Sequence, residues 1–262
     1  MTFSITPIII ARGPHRECSR FTYLNNFGEK VTIPYVAWLI RGKDMNVLAD
    51  TGCTAEQYAK HIRPSSGQLM VAGEAFADVE DVTPLDEGLK ANGLTRDDID
   101  VLIQTHLDWD HCMNTSGFKR SKVLIQKTEI EDLPVHPLYE KTHAPDYVYD
   151  EIKSLDLQIV DGDHEVAPGL TALYTPGHTA GGMSVAVDTK SGTHVITGLC
   201  TVKANYYLTD EQKEQLGYEV IPPGMHLDAR TAYDSTLRIL RVGGEHVLAN
   251  HDPSNFNLVT IE

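Results

Sequence analysis

The stretch Gln104-Thr-His-Leu-Asp-Trp-Asp-His-Cys112 crowds two histidines and two aspartates into six positions, straight after the apolar run Val101-Leu-Ile103. In a loop, side chains at i, i+2, i+4 and i+5 can converge on one side, so His106, Asp108, Asp110 and His111 can face a common point. Neighbouring carboxylates repel unless a proton or a cation compensates. A divalent cation does this well, and imidazole with carboxylate suits zinc, iron or manganese. Four such ligands can seed a pair of metals once other loops add more. His178, in Tyr174-Thr-Pro-Gly-His-Thr-Ala-Gly-Gly182, and His251, after the last apolar run, stand at positions that could supply them. The plain alternatives are a solvated acidic turn at 106–111, surface histidines at 178 and 251, and an ordinary turn residue at Asp50.

These side chains need a frame. Residues 31–40 are β-branched and aromatic, and residues 45–49 lead into Asp50-Thr-Gly52, so both read as strands. Thr83, Pro84 and Asp86 mark a helix start and Gly93 its stop; Thr95 with Asp98 repeats the capping pattern. Residues 101–104 then read as a buried strand, which puts the histidine–aspartate cluster in the loop at its C-terminal end. Residues 123–126, 158–160, 170–174, 183–187, 194–197 and 246–249 read as further strands. Across 228–240, Ala229, Ala232, Tyr233, Thr236, Leu237 and Leu240 recur at helical spacing. Residues 133–149 are rich in proline and tyrosine and read as a long loop. Strand blocks alternating with helices indicate a layered α/β architecture, with no linker that would divide residues 1–262.

Composition narrows the partners. The net charge of −15, with no basic patch in the sequence, argues against nucleic acid and anionic membrane. The first residues lack the basic start and apolar run of a signal peptide, and no window approaches a membrane span. Cys18, Cys53, Cys112 and Cys200 show no CxxC spacing, so a reduced, cytoplasmic protein is expected. Cys53 and Cys112 read as small buried residues. A small-molecule ligand is the expected partner, and a homodimer is left open.

Asp50-Thr-Gly52, His106-Leu-Asp-Trp-Asp-His111, Thr175-Pro-Gly-His178 and Asn250-His-Asp-Pro253, in this order, resemble the metallo-β-lactamase superfamily. Within it the chain looks most like the N-acyl-homoserine-lactonase-type hydrolases, a likeness that extends to the segment 223–238. The resemblance implies a four-layer αββα sandwich with a dinuclear site at one edge. It implies that His106 and His178 bind the first metal, and that Asp110, His111 and His251 bind the second. Asp50 would orient a ligand imidazole by accepting its hydrogen bond. A hydroxide between the metals would attack a carbonyl carbon, with Asp110 moving its proton.

The sequence departs from that pattern twice. Asp108 stands where the family has histidine, and a carboxylate there favours harder ions such as iron or manganese. Leu199, in Thr197-Gly-Leu-Cys200, stands where lactonases carry a bridging aspartate. Cys200 follows it, and Lys203 lies three residues later, a spacing shared with the zinc β-lactamases. Cys200 is therefore expected to be a thiolate ligand of the second metal, which favours zinc, the alternative being a buried apolar cysteine. The expected cofactor is two divalent ions, zinc first, with iron or manganese as alternatives. Candidate substrate contacts are Lys203, Tyr206, Tyr207 and His226, together with Tyr139 and Tyr147 on a restrained aromatic lid at 133–149. The leading reading is a hydrolase of a small cyclic ester. A cyclic amide or β-lactam hydrolase, supported by Cys200 and Lys203, and a non-catalytic binding protein on a degenerate site remain open. A diiron redox protein ranks last, because only eleven residues follow His251.

Overall fold

A computed structural model describes residues 2–62, 78–132 and 144–262. Its first sheet contains β1 (Ser4–Glu17), β2 (Lys30–Arg41), β3 (Asn46–Ala49), β4 (Glu80–Asp81), β5 (Val101–Ile103), β6 (Lys122–Gln126) and β7 (Leu157–Val160), in spatial order β4-β1-β2-β3-β5-β6-β7. The second contains β8 (His164–Ala167), β9 (Leu170–Tyr174), β10 (Met183–Thr189), β11 (Gly192–Ile196) and β12 (Val247–Leu248), in order β12-β11-β10-β9-β8. β1, β2 and β3 pair antiparallel, whereas β3, β5, β6 and β7 run parallel, which carries their C-terminal ends to one edge.

Period-two alternation decides the layers. In β2, Val36, Trp38 and Ile40 enter the core between the sheets, while Ala37 and Leu39 face outward against the helix Leu85–Ala91. In β10, Met183, Val185 and Val187 fill the same inner core and Ala186 faces the helix Ala229–Gly243. The order helix, sheet, sheet, helix is the expected four-layer αββα sandwich. Each fully buried Leu or Ile contributes about 1.5–3 kcal/mol of transfer free energy to these interfaces. Among the described residues, no helix is long and apolar enough to cross a membrane.

The helix Ala229–Gly243 forms where its spacing predicts. Asp228 caps it by accepting the Thr231 N–H at 2.8 Å, and Ala232, Thr236, Ile239 and Gly243 make its buried stripe. Three local expectations change. Thr95 and Asp98 close a capping box on a 3-10 turn, Arg96–Asp98, rather than an α-helix. Residues 146–149 are not loop: Pro145 precedes the helix Asp146–Lys153, whose Val148 and Ile152 are buried. Proline is tolerated at a helix start because its missing N–H would lack a partner there. Finally, β1, a 14-residue strand next to the edge of the first sheet and covered there only by the two-residue β4, was not anticipated. Residues 133–143 of the expected loop, with Tyr139, lie outside the described residues.

Candidate metal centre and active site

Parallel pairing of β3 with β5 sets Ala49 beside Ile103, so the residues after both strands meet. Asp50 turns there with φ 62, a conformation uncommon for a residue with a side chain. Its carboxylate takes the Thr105 N–H at 2.9 Å, the Thr105 hydroxyl at 2.8 Å and His111 Nδ1 at 2.7 Å. The helical turn Trp109–Cys112 brings His111 back towards Asp50, and the His111 carbonyl accepts the Thr51 N–H at 2.7 Å.

His178 sits in the turn from β9 to β10. Gly177 adopts φ 125, and a Cβ there would overlap the backbone of Ala232, so the turn can press against the start of the last helix. His178 Nδ1 lies 2.9 Å from the Met225 carbonyl. His251 follows β12, and its Nδ1 lies 3.2 Å from the Pro34 carbonyl on β2.

These contacts assign the tautomers. Carbonyl and carboxylate oxygens only accept, so His111, His178 and His251 carry their proton on Nδ1. Thr105 gives its hydroxyl proton to Asp50, and His106 Nδ1 then donates to the Thr105 oxygen at 3.0 Å. In the neutral form all four imidazoles therefore turn an Nε2 lone pair inward. Asp108 Oδ2 lies 3.3 Å from His178 Nε2 and 3.9 Å from His106 Nε2. Asp110 Oδ2 lies 3.5 Å from His111 Nε2 and 3.6 Å from His251 Nε2. The result is two groups, His106–Asp108–His178 and Asp110–His111–His251, each with its donor atoms within 4.8 Å of one another. The His106 and His111 rings, 4.0 Å apart, join them. The buried Nε2 of His106 has no hydrogen-bond partner. A buried acceptor left unmatched costs about 1–3 kcal/mol, and a cation placed among these donors would satisfy it.

The electrostatics fit the same use. Burial, then the neighbouring His111 and His178, hold His106 well below the ordinary histidine range. Burial also draws His251 down to about 4. At His111 burial opposes charge, but Asp110 and Asp50 overcome it and lift the pKa to about 9. At His178 burial is again outweighed, here by Asp108, and the pKa rises. At His111 and His178 the neighbouring carboxylates thus favour a proton on the ring, which competes with a cation for Nε2.

The sequence pattern of the metallo-beta-lactamase superfamily matches residues 33–240. The chain belongs to this superfamily. The N-acyl homoserine lactonase AiiA of Bacillus thuringiensis subsp. kurstaki is 28% identical over 216 residues, 82% of this chain and 78% of that protein. The N-acyl homoserine lactonase AiiB of Agrobacterium fabrum is 28% identical over 188 residues, 67% and 66% of the two chains. A crystal structure of a B. thuringiensis AiiA mutant with N-decanoyl-L-homoserine bound at the active site superposes with a TM-score of 0.74 at 23% identity, covering 98% of this chain and 96% of that one. AidC, described as a dizinc quorum-quenching lactonase, superposes at 0.61 with 14% identity, covering 96% and 88%. The protein is thus a metallo-hydrolase, and membership implies divalent metal binding.

The pocket of this metallo-hydrolase is lined by residues of both metal groups, Asp108 and His178 from one and Asp110, His111 and His251 from the other. Trp109 lines it and also packs edge-on against Tyr35, 5.3 Å away, so it both supports the loop and faces the cavity. Cys200 is on the wall, buried in the core cluster beneath the metal loop, but in neither group of potential ligands. Burial, then Asp110, push its thiol well up. Leu199, whose side chain has no donor atom, packs in the core beside Ile239 of the helix Ala229–Gly243.

The expected substrate contacts are mostly elsewhere. Lys203 is exposed and away from the pocket wall, although its N–H donates to Asp252 at 2.7 Å. Tyr206 is buried with Leu199 and Ile239, its hydroxyl 3.1 Å from Thr201. Tyr207 reaches the opposite end, donating to the Gly244 carbonyl at 3.2 Å. His226 packs on Tyr23 and also lies outside the pocket lining. Tyr147 is 41% exposed and faces His61. Lys203, Tyr206, Tyr207 and His226 lie in or near motif segments in the sequence, but their side chains do not line this pocket. Cys53 and Cys112 are buried, as expected.

Sequence reasoning missed Glu129. It is 1% exposed and accepts the Leu107 N–H at 2.9 Å, the Thr179 hydroxyl at 2.8 Å and the Gly181 N–H at 2.9 Å. It thereby ties the loop of His106 to the loop of His178. No local signal marks it, since one glutamate in a polar helix looks like a solvated side chain.

Proposed function

We propose that this metallo-hydrolase opens a small cyclic ester, using two divalent ions held by His106, Asp108 and His178 and by Asp110, His111 and His251. The carrying observation is the set of four inward Nε2 lone pairs facing two carboxylates at the floor of one pocket. The relatives named as N-acyl homoserine lactonases support the ester. Zinc is the first candidate, given four imidazoles; Asp108 keeps iron and manganese as alternatives. The ligand loops come from both sheets, which supports reading residues 1–262 as one catalytic unit.

When bound, such ions supply Lewis acidity and lower the pKa of water. The chain's own residues do the rest. Asp50 and Thr105 hold the imidazoles in the ligating tautomer. Asp110, whose side chain is 13% exposed against 6% for Asp108, is the carboxylate more open to the pocket and can carry the proton from the attacking water to the leaving alkoxide. Trp109 and Tyr35 wall the cavity against bulk water. The cyclic-amide reading keeps Cys200 on the wall and loses Lys203.

Zinc-loaded protein assayed on matched lactones, lactams and thioesters tests this. We expect acid release from a lactone, abolished by chelator and restored by metal. Turnover confined to the lactam or thioester would overturn the ester.

A further inference from the structure

We propose that Tyr35 is a catalytic residue, whose phenolic O–H donates a hydrogen bond to the carbonyl oxygen of the bound ester as that oxygen gathers negative charge. The ester half rests on the function proposed above; the hydrogen-bond donor does not.

The chain delivers this hydroxyl from outside the ligand loops. Ile33 and Tyr35, two apart and so on one face of β2, both join the cluster beneath the metal loop. Pro34, between them, is the residue whose carbonyl accepts from His251 Nδ1, so the phenol and a candidate ligand share one backbone support. The Tyr35 ring stands edge-on to Trp109 at 5.3 Å and to His251 at 6.0 Å. It is 2% exposed and lines the metal pocket together with Asp110 and His251. The end of β1 shapes the space around its oxygen. Pairing with β2 shifts register between Gly13 and Arg16, where His15 takes φ 54. Bulges of this kind re-aim side chains, and this one turns Arg16 back to the phenol, with Nη2 donating to Tyr35 Oη at 3.0 Å. A Cβ at Gly13 would lie 2.5 Å from the same oxygen, so glycine keeps the hydroxyl's place open.

A guanidinium carries donors only, so the phenol is the acceptor in that pair and its own proton remains to be given. Among the described residues, no acceptor takes it. Arg16, which reaches the oxygen, lines the same pocket, so the hydroxyl end of Tyr35 and not only its ring belongs to the wall. Phenols ionise near pH 10, so the proton is in place at neutral pH. Accepting from a cation also polarises the O–H and strengthens it as a donor.

Attack of water on the carbonyl carbon, with Asp110 taking the proton, moves the C=O π pair onto the carbonyl oxygen. Tyr35 meets that charge with its hydrogen bond and keeps its own proton. The pair returns as the ring C–O bond breaks, and the leaving oxygen takes the proton from Asp110. The hydrogen bond strengthens as charge grows, so it lowers the barrier more than it aids binding.

The test uses zinc-loaded full-length protein, γ-butyrolactone and γ-thionobutyrolactone, in which sulfur replaces the carbonyl oxygen. Tyr35→Phe should lower kcat on the lactone about 100-fold with KM changed less than about threefold. On the thionolactone the same variant should lose less than about threefold, because sulfur accepts hydrogen bonds weakly. A merely structural role would cost both substrates alike. Calorimetric titration with phenylboronate, whose tetrahedral form mimics the charged intermediate, should give a Kd at least tenfold weaker in Tyr35→Phe. Melting temperature and zinc content should match those of the unmodified chain. If they do not, Gly13→Ala, which keeps the phenol but displaces its oxygen, should show the same carbonyl-selective loss. Unchanged kcat, equal losses on the two substrates, or phenylboronate bound equally by parent and variant or by neither, overturns the role of Tyr35. Turnover of neither substrate by the parent, with phenylboronate still weakened by the variant, supports the donor and overturns the ester.

Discussion

Asp50 and His111, 61 positions apart, are joined by a 2.7 Å hydrogen bond that decides which nitrogen of the imidazole can ligate. With Asp50 accepting, the proton stays on Nδ1 and Nε2 faces Asp110. Asp50→Asn keeps the shape but can turn an amide N–H towards Nδ1, which moves the proton to Nε2 and blocks that ligand. Elemental analysis should show the variant losing about one ion per chain, with activity down roughly 10–100-fold. Full metal content with full activity would show that ring orientation is held by other contacts.

Protein purified without chelator should carry about two ions per chain. Asp110→Ala and His111→Ala should lose the ion of their own group and retain the one at His106, Asp108 and His178. A chain that holds none, or variants that empty both groups together, would show that the groups do not bind separately.

Glu129 accepts three hydrogen bonds from two ligand loops. Glu129→Ala strands buried donors, each worth about 1–3 kcal/mol. We expect the metal-free protein to melt several degrees lower and zinc affinity to fall, because His106 and His178 lose their common anchor. An unchanged melting temperature would mean that water or neighbouring groups take over those donors.

Cys200 lies on the pocket wall but in neither ligand group. Cys200→Ser should therefore preserve the metal count, and alkylation of Cys200 should be as slow with chelator as without it. If chelator unmasks the thiol, or the variant loses an ion, the sulfur is a ligand after all.

Protons and metal compete for His111. Its pKa in the metal-free fold is about 9, above the ordinary value of 6.5, so the protonated ring stabilises that fold fully below about pH 6.5 and progressively less up to pH 9. His178, also raised, acts in the same direction. Thermal melts should show the chelated protein losing stability across this window, while zinc affinity rises over the same range as the competing protons leave. Zinc affinity that is flat with pH would contradict a protonated His111.

The two groups of candidate ligands were legible because their chemistry is local. Four potential metal-binding side chains fall within six positions after a strand, and His178 and His251 each follow an apolar run that must end at an edge. The helix at 228–240 was legible for the same kind of reason, since its apolar period and its Asp228 cap are properties of consecutive residues. Other features depended on how distant segments meet. Tyr206 and Tyr207 are adjacent to a motif, yet the backbone after Gly198 turns one into the core and the other to the far end. Glu129 acquires its role only because the helix Lys127–Asp132 passes between two ligand loops. Arg16 reaches the pocket through a bulge visible only once β1 is paired with β2. Sequence spacing thus determined which groups could bind metal, because neighbouring side chains share a loop whatever the rest of the chain does. Tertiary structure decided tautomers, supports and pocket walls, because those depend on hydrogen bonds and contacts between residues far apart in the chain.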